Sequence, residues 1–165
     1  MTHQEITDKL STAFGEDIIE AVVSYDMLTV IVAADKNLEV LLFLRDDTDL
    51  NFHFLTDLCG IHYPFNADNE LGVVYHLHSM VANIRIRVKA FFPSKDPVIR
   101  SATGLWASAG WMERETFDFY GILFENHPDL RRILNVDDMD YHPMLKQYPL
   151  EDGTRDDKND AMFGR

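Results

Sequence analysis

The chain has 165 residues, of which 46% are apolar and 26% are charged, a balance typical of a globular protein with one domain and an appended tail. Its formal net charge of −13 disfavours nucleic acid or an anionic membrane as the main partner, because both would repel it. The one cysteine, Cys59, excludes an intramolecular disulfide and an iron–sulfur cluster held by this chain alone, so we expect a small buried residue there.

The first third of the chain predicts a helix, a hairpin and a second helix. Thr2 and Glu5 have the spacing of a capping box, and apolar residues follow at helical intervals. Two β-branched runs then surround Asp26 and predict a hairpin. We expect Asp35 to cap the N-terminus of the second helix, whose leucines form a broad apolar face.

Three strand candidates follow, with the sequences NFHFLTDL, LGVVYHLHS and ANIRIRVKAFF. In the last, apolar residues alternate with Arg85, Arg87 and Lys89, a pattern that predicts a sheet with one covered face and antiparallel pairing. We interpret the charged stripe as a solvated strand face, with a docking face for an acidic partner as the alternative.

The second half predicts a helix from about residue 104 to Tyr120, stopped by Gly121, and a short helical turn beginning at His127 and Pro128. Periodicity is lost beyond residue 134. The predicted class is α+β, a mostly antiparallel sheet with flanking helices. We expect a single domain over 1–134 and an extended, partner-binding tail over 135–165.

No apolar run reaches the roughly 18 residues that a membrane span needs. The polar start of the chain has no hydrophobic segment of an export signal. These two features predict a soluble intracellular protein with no membrane span of its own.

Histidines offer a possible metal site. His76 and His78 lie two apart on a predicted strand and so project from one face, where His53 and His62 could join them. Surface polar residues are the simpler interpretation. A free-standing metal-dependent hydrolase using His53, His76 and His78 remains a hypothesis.

The segment GWMERETFDFYGILFENHPDLRRIL, residues 110–134, mixes acids and arginines with aromatic residues. Successive helical residues are about 100° apart, so its charges cannot share one solvated face. Glu113 or Glu115 could act as a general acid or base, but we expect a nearby arginine to keep such a carboxylate ionised. We predict instead that Arg131 and Arg132 return to the buried acids with bidentate geometry and form a structural knot without catalytic residues.

This segment resembles the C-type (30 kDa-type) subunit of respiratory complex I, NADH:quinone oxidoreductase. The match extends over about residues 50–150, with RIRVKAFFP and LWASAGWMERE upstream and HPMLKQYPL downstream. The family-pattern residues are Glu113, Arg114, Glu115, Asp118, Gly121, His127, Pro128, Asp129, Arg131 and Arg132. The tail residues expected to dock a partner are His142, Pro143, Tyr148 and Pro149.

The resemblance implies a structural subunit of the peripheral arm that binds no cofactor itself. It would pack against the D-type subunit, which helps to form the quinone site, while iron–sulfur clusters and FMN or another donor module belong to partner subunits. It would lie on the cytoplasmic face of a bacterial inner membrane, attached through the complex. The homologous subunit of a membrane-bound hydrogenase or an F420H2 dehydrogenase is the nearest alternative.

Overall fold

The structure, a computed structural model, describes residues 1–149. Its helices are α1 (His3–Phe14), α2 (Asn37–Asp46) and α3 (Ala109–Tyr120). Its strands are β1 (Ile18–Ser24), β2 (Met27–Val32), β3 (Phe54–His62), β4 (Leu71–Ser79), β5 (Ile84–Phe92), β6 (Val98–Arg100) and β7 (Leu123–Glu125). No helix in this part of the chain has the length and apolar character that a membrane crossing requires.

The main sheet has five strands in the order β1-β2-β5-β4-β3. Its pairs are antiparallel except for β2 and β5, which run parallel. The predicted hairpin between β1 and β2 is present, and Tyr25 and Asp26 turn it with positive φ angles. A second, parallel pair joins β6 to β7. The α+β class with a mostly antiparallel sheet is therefore confirmed.

The three helices pack on one face of this sheet and enclose the core. Asn37 of α2 donates a hydrogen bond to the hydroxyl of Tyr75 on β4. Tyr120 of α3 lies so close to Gly60 of β3 that an added Cβ there would be 2.5 Å from its ring, so only glycine fits. Ile6 and other apolar residues of α1 complete the core.

Several predicted boundaries were wrong. Asp35 does not cap α2, because it lies inside a short 3-10 helix that leads into α2 without a side-chain cap. β3 begins at Phe54 rather than near residue 51, since the N–H of Phe52 bonds to the carbonyl of Leu44 at the end of α2.

The predicted start of α3 and the predicted helical turn after β7 were also wrong. α3 begins at Ala109, because the preceding turns place the indole of Trp106 for a 3.0 Å hydrogen bond to the carbonyl of His53. Residues around His127 and Pro128 form turns instead of a helix. There the His127 ring accepts the N–H of Asp129 at 3.0 Å within the turn.

Residues 135–149 form turns and bends, without helix or strand, and return to α3. The N–H of Met144 donates to the carbonyl of Phe119 at 3.1 Å. The remainder of the predicted tail, 150–165, lies outside the described residues. A division into a domain over 1–134 and a tail over 135–165 stays a prediction.

Candidate functional site

The charged residues of α3 separate into buried and exposed positions. Glu113 and Asp118 are both 0% exposed, whereas Glu115 is exposed and Arg114 is intermediate. Gly121, with φ of 76°, ends the helix in the left-handed conformation. The prediction that these charges do not share one solvated face is confirmed.

Asp118 binds the chain that follows the helix. Its Oδ2 accepts the backbone N–H groups of Ile133 at 3.1 Å, Leu134 at 2.8 Å and Asn135 at 2.9 Å. Its Oδ1 accepts Nη1 of Arg132 at 2.7 Å and the side-chain amide of Asn135 at 3.1 Å. Five donors therefore converge on one carboxylate.

These contacts keep Asp118 ionised. Burial by itself would raise its pKa, because a low-dielectric surrounding disfavours the charged form. The hydrogen bonds from Asn135, Leu134 and Arg132 act in the opposite direction and together outweigh it. The pKa of Asp118 lies well below its usual range as a result.

Arg132 and His142 extend the contact to later residues. Nη2 of Arg132 donates to the carbonyls of Met139 at 2.7 Å and Tyr141 at 3.0 Å. Nδ1 of His142 is 2.9 Å from the carbonyl oxygen of Asp118. We call Asp118, Arg132, Asn135 and His142, with the backbone N–H groups of 133–135, the Asp118 brace. It fixes 131–142 against the end of α3.

Glu113 makes a different set of contacts. Its carboxylate accepts the hydroxyl of Ser101 at 2.6 Å and the N–H of Ala102 at 2.7 Å, and Nε2 of His127 is 4.0 Å away. Burial raises the pKa of Glu113 to about 7, which the two hydrogen bonds only partly oppose. The expectation that an arginine keeps this carboxylate ionised was wrong, because hydroxyl and backbone donors occupy that place.

The two other arginines of the segment do not reach the buried acids. Arg114 donates to the carbonyl of Arg131 at 3.1 Å and to that of Arg132 at 2.9 Å, and its guanidinium lies 5.2 Å from the centroid of Trp111. The side chain of Arg131 is 69% exposed and pairs with Asp129 at 3.0 Å. The predicted return of Arg131 to a buried carboxylate was wrong. Arg132 does return to Asp118, but it contacts the carboxylate through Nη1 alone, so the predicted bidentate geometry was also wrong.

The remaining family-pattern and tail residues lie around this core of contacts. The ring of His127 is 3.0 Å from the carbonyl of Gly110, while Pro128 is exposed. The rings of Tyr148 and Tyr141 are in contact, tilted by 46° with centroids 4.9 Å apart. Pro143 is partly buried and Pro149 is exposed.

The candidate metal-binding histidines have other partners. Nε2 of His76 accepts Nε of Arg87 at 2.9 Å, and His62 accepts the N–H of Lys146 at 3.0 Å. Within residues 1–149, no group of three or more His, Cys, Asp or Glu side chains could hold a metal ion. The structure does not assemble His53, His76 and His78 into a ligand set.

Sequence reasoning missed three groups that hold the buried acids. Ser101 and Ala102 lie more than ten residues before Glu113, and a backbone donor has no pattern of its own. Asn135 follows the recognised segment directly, but its side chain is ordinary for a turn.

The profile of the family described as "Respiratory-chain NADH dehydrogenase, 30 Kd subunit" matches residues 30–154. The C-type subunit of NADH-quinone oxidoreductase from Mycolicibacterium gilvum is 42% identical over 151 residues, covering 88% of this chain and 67% of that protein. Its counterpart in Ralstonia pickettii is 42% identical over 158 residues, covering 88% of this chain and 79% of that protein.

Two solved structures share the fold. A trypsin-resistant fragment of Nqo5 superposes with a TM-score of 0.66 and 28% identity, covering 78% of this chain and 100% of the fragment. A chain of an archaeal membrane-bound sulfane sulfur reductase gives a TM-score of 0.74 at 22% identity, over 89% of this chain and 85% of that one, and shows the fold alone. From its profile match and its relatives, this chain belongs to the family of the respiratory-chain NADH dehydrogenase 30 Kd subunit, the C-type subunit of NADH-quinone oxidoreductase (complex I).

Proposed function

We propose that this chain is a structural, cofactor-free subunit of the complex I peripheral arm, without catalytic residues, that docks the D-type quinone-site subunit. The observation that carries the proposal is the Asp118 brace, which fixes 131–142 on α3 through a fully buried carboxylate. A segment held in one conformation loses little conformational entropy when a partner binds it.

The buried acids support a structural role. Two of the three carboxylates of α3, those of Glu113 and Asp118, are 0% exposed, and the oxygens of Asp118 already accept five donors. A general acid or base must come within hydrogen-bond reach of a substrate. Glu113 and Asp118 offer no surface for that contact.

The surface beside the brace supports docking. Contiguous patches of exposed apolar side chains mark protein interfaces. The exposed apolar residues of α3 and of the segment that follows it are Trp111, Leu123, Leu134, Val136, Tyr141 and Met144. We define Leu134, Val136, Tyr141 and Met144 as the brace surface, and we place the D-type subunit there.

In this role the chain supports electron transfer without taking part in it. Electrons from NADH, or from ferredoxin where the NADH module is missing, would pass through iron–sulfur clusters, and FMN or another donor group, in partner subunits. The chain would lie on the cytoplasmic face of a bacterial inner membrane through its complex. Residues 135–165 would continue along neighbouring subunits.

A charged substitution on the brace surface tests the docking proposal. Val136 is 62% exposed, so Val136→Asp should leave folding intact while burying a charge at the interface. We expect recovery of the D-type subunit with the tagged chain, purified from native membranes, to fall about tenfold or more. Quinone reduction by those membranes should fall in parallel.

The matched control is Val81→Asp, since Val81 is 81% exposed on the turn between β4 and β5. It should give full recovery of the D-type subunit. Equal recovery with both variants would reject the brace surface as the docking site. Isolation of the unmodified chain from native membranes as a lone monomer would reject the structural-subunit role itself.

A further inference from the structure

We propose that the side of the main sheet opposite the helices docks an acidic segment of a neighbouring subunit, a partner contact separate from the brace surface. This inference rests on the proposed function, because it needs the chain to be part of a complex. We call this side the cationic face. Its defining residues are Arg85, Arg87 and Lys89 on β5, Val74 and His76 on β4, and Cys59 on β3.

The strand register places the three cations in one column at the centre of the sheet. Arg87 pairs with Thr29 on one side and His76 on the other. Arg85 lies two residues before Arg87 and Lys89 two residues after it, so the Cα atom of each is about 6.7 Å from that of Arg87 along the strand. Strands on both sides of β5 keep this column away from the sheet edges.

The helices leave this side of the sheet uncovered in the described part of the chain. α2 and α3 reach the sheet at Tyr75 and Gly60, which point to the other side. Val74 is buried, yet it is not part of the core cluster that those helices enclose.

The cations of the column have no acidic partner among the residues that the structure describes. Within residues 1–149, none of the ion pairs includes Arg85, Arg87 or Lys89. Arg87 instead donates a hydrogen bond to His76. Burial is the main cause that lowers the pKa of His76, and the charge of Arg87 lowers it further. In a chain with a formal net charge of −13, a central cluster of unpaired cations is a local exception that complements a negative partner.

Unsatisfied polar atoms and apolar side chains accompany the cations. The hydroxyl of Thr29 and Nδ1 of His76 are buried and lack a hydrogen-bond partner in the described region. The carboxylate of Asp57 on β3 lies 3.6 Å from that nitrogen, beyond hydrogen-bond distance. The rings of Tyr63 and Phe91 lie 6.0 Å apart near one end of this side of the sheet. Cations, open acceptors or donors and apolar surface together fit a protein segment that brings carboxylates and apolar side chains.

An acidic protein segment fits this face better than an anionic lipid surface. A membrane is a large plane of negative charge that meets the whole acidic chain, which it repels over about a Debye length of 8–10 Å. A narrow protein segment would contact only the column of cations and not the rest of the acidic chain. Carboxylates about 6–7 Å apart, as on alternate residues of an extended strand, would match the spacing of the cations.

Zero-length crosslinking of the native complex tests the occupant. A carbodiimide joins a lysine amine only to a carboxylate in contact with it, so the intact, unmodified complex is treated and digested for mass spectrometry. We expect Lys89 joined to an Asp or Glu of another subunit. Lys89 pairs with Val74, and Val74 pairs with Cys59 on the next strand, so a partner bound at Lys89 should also cover Cys59. Alkylation of Cys59 by N-ethylmaleimide should therefore be about tenfold slower in the complex than in the free full chain.

Charge reversal gives the complementary measurement. Arg85→Glu and Lys89→Glu leave the hydrogen bond between Arg87 and His76 in place, and each should lower recovery of the complex about tenfold. The control is Lys95→Glu, in the exposed turn after β5, which should give full recovery. Urea unfolding of each full-length variant checks that it folds.

Two results would overturn the inference while leaving the proposed function intact. One is a chain that co-purifies with the D-type subunit but keeps Cys59 as reactive as in the free chain, with no effect of either reversal. The other is protection of Cys59 by vesicles of phosphatidylglycerol, which would assign the face to lipid. Failure of the unmodified chain to co-purify with any subunit would instead reject the proposed function.

Discussion

Asp118→Asn is the substitution that isolates the brace. Asparagine keeps the size of the side chain, but one of the two acceptor oxygens becomes an NH2 group, which donates hydrogen bonds instead of accepting them. The change leaves Arg132 without its counter-charge, and the one remaining oxygen cannot accept both the N–H groups of 133–135 and the side chains of Arg132 and Asn135. Removing one partner of a buried ion pair costs about 3–5 kcal/mol, so we expect the free energy of unfolding to fall by that amount.

Two measurements on the purified full chain give the size and the place of the effect. Urea unfolding at neutral pH gives the change in the free energy of unfolding. Hydrogen exchange at the amides of Ile133, Leu134 and Asn135 reports the brace directly. These amides should exchange much faster in Asp118→Asn. The amides of the central strands should exchange faster only by the amount that the fall in the free energy of global unfolding accounts for.

Glu115→Gln is the matched control, because Glu115 lies on the same helix and is exposed. It should shift the free energy of unfolding by no more than about 0.5 kcal/mol. The explanation would fail if Asp118→Asn left both the free energy of unfolding and the exchange of the three amides unchanged. It would equally fail if the control cost as much as the variant.

The other predictions concern residues around the brace. Arg132→Ala should cost about 3–5 kcal/mol in urea unfolding, whereas the exposed Arg131→Ala should change it by no more than about 0.5 kcal/mol; equal costs would contradict the pairing. Because burial raises the pKa of Glu113 to about 7, the folded chain binds that proton more tightly than the unfolded chain does, and stability falls as pH rises from about 4.5 to about 7. Glu113→Gln should remove about 3 kcal/mol of this fall, measured by urea unfolding across that range, and an unchanged slope would refute it. Gly121→Ala should cost about 1–3 kcal/mol by calorimetry, since φ is 76° and the new Cβ would lie 2.7 Å from His142; a neutral result would show that the helix end relaxes freely.

Local pattern was enough to predict most elements of the fold. Alternation along β5 and the β-branched runs around Asp26 each determine a local conformation, and the structure has both. The parallel pairing of β2 with β5 was not predictable, because it joins segments more than fifty residues apart. Where α3 begins depends likewise on a tertiary contact, the bond from Trp106 to the distant His53.

For the candidate site, sequence reasoning indicated that some charges of α3 are buried, but not which acids these are or all of their partners. Rotation by about 100° per residue shows only that Glu113, Glu115 and Asp118 cannot all share one solvated face. Which donor reaches each carboxylate is decided by the path of the backbone before β7 and after it. Arg131 and Arg132 are adjacent and chemically identical, so only the turn geometry could show that Arg132 is the one that points inward.

The two buried carboxylates of α3, Glu113 and Asp118, have pKa values displaced in opposite directions, a property that active sites also show. In an enzyme such a pair surrounds a position where substrate can bind. Here Asp118 has filled its acceptor positions with the chain's own donors, and Glu113 is enclosed with Ser101 and Ala102. Burial raises the pKa of both acids. Five donors, including a guanidinium, outweigh it at Asp118, whereas a hydroxyl and one N–H do not outweigh it at Glu113. Opposed pKa values in this fold are thus a consequence of joining α3 to two different loops, one before the helix and one after it.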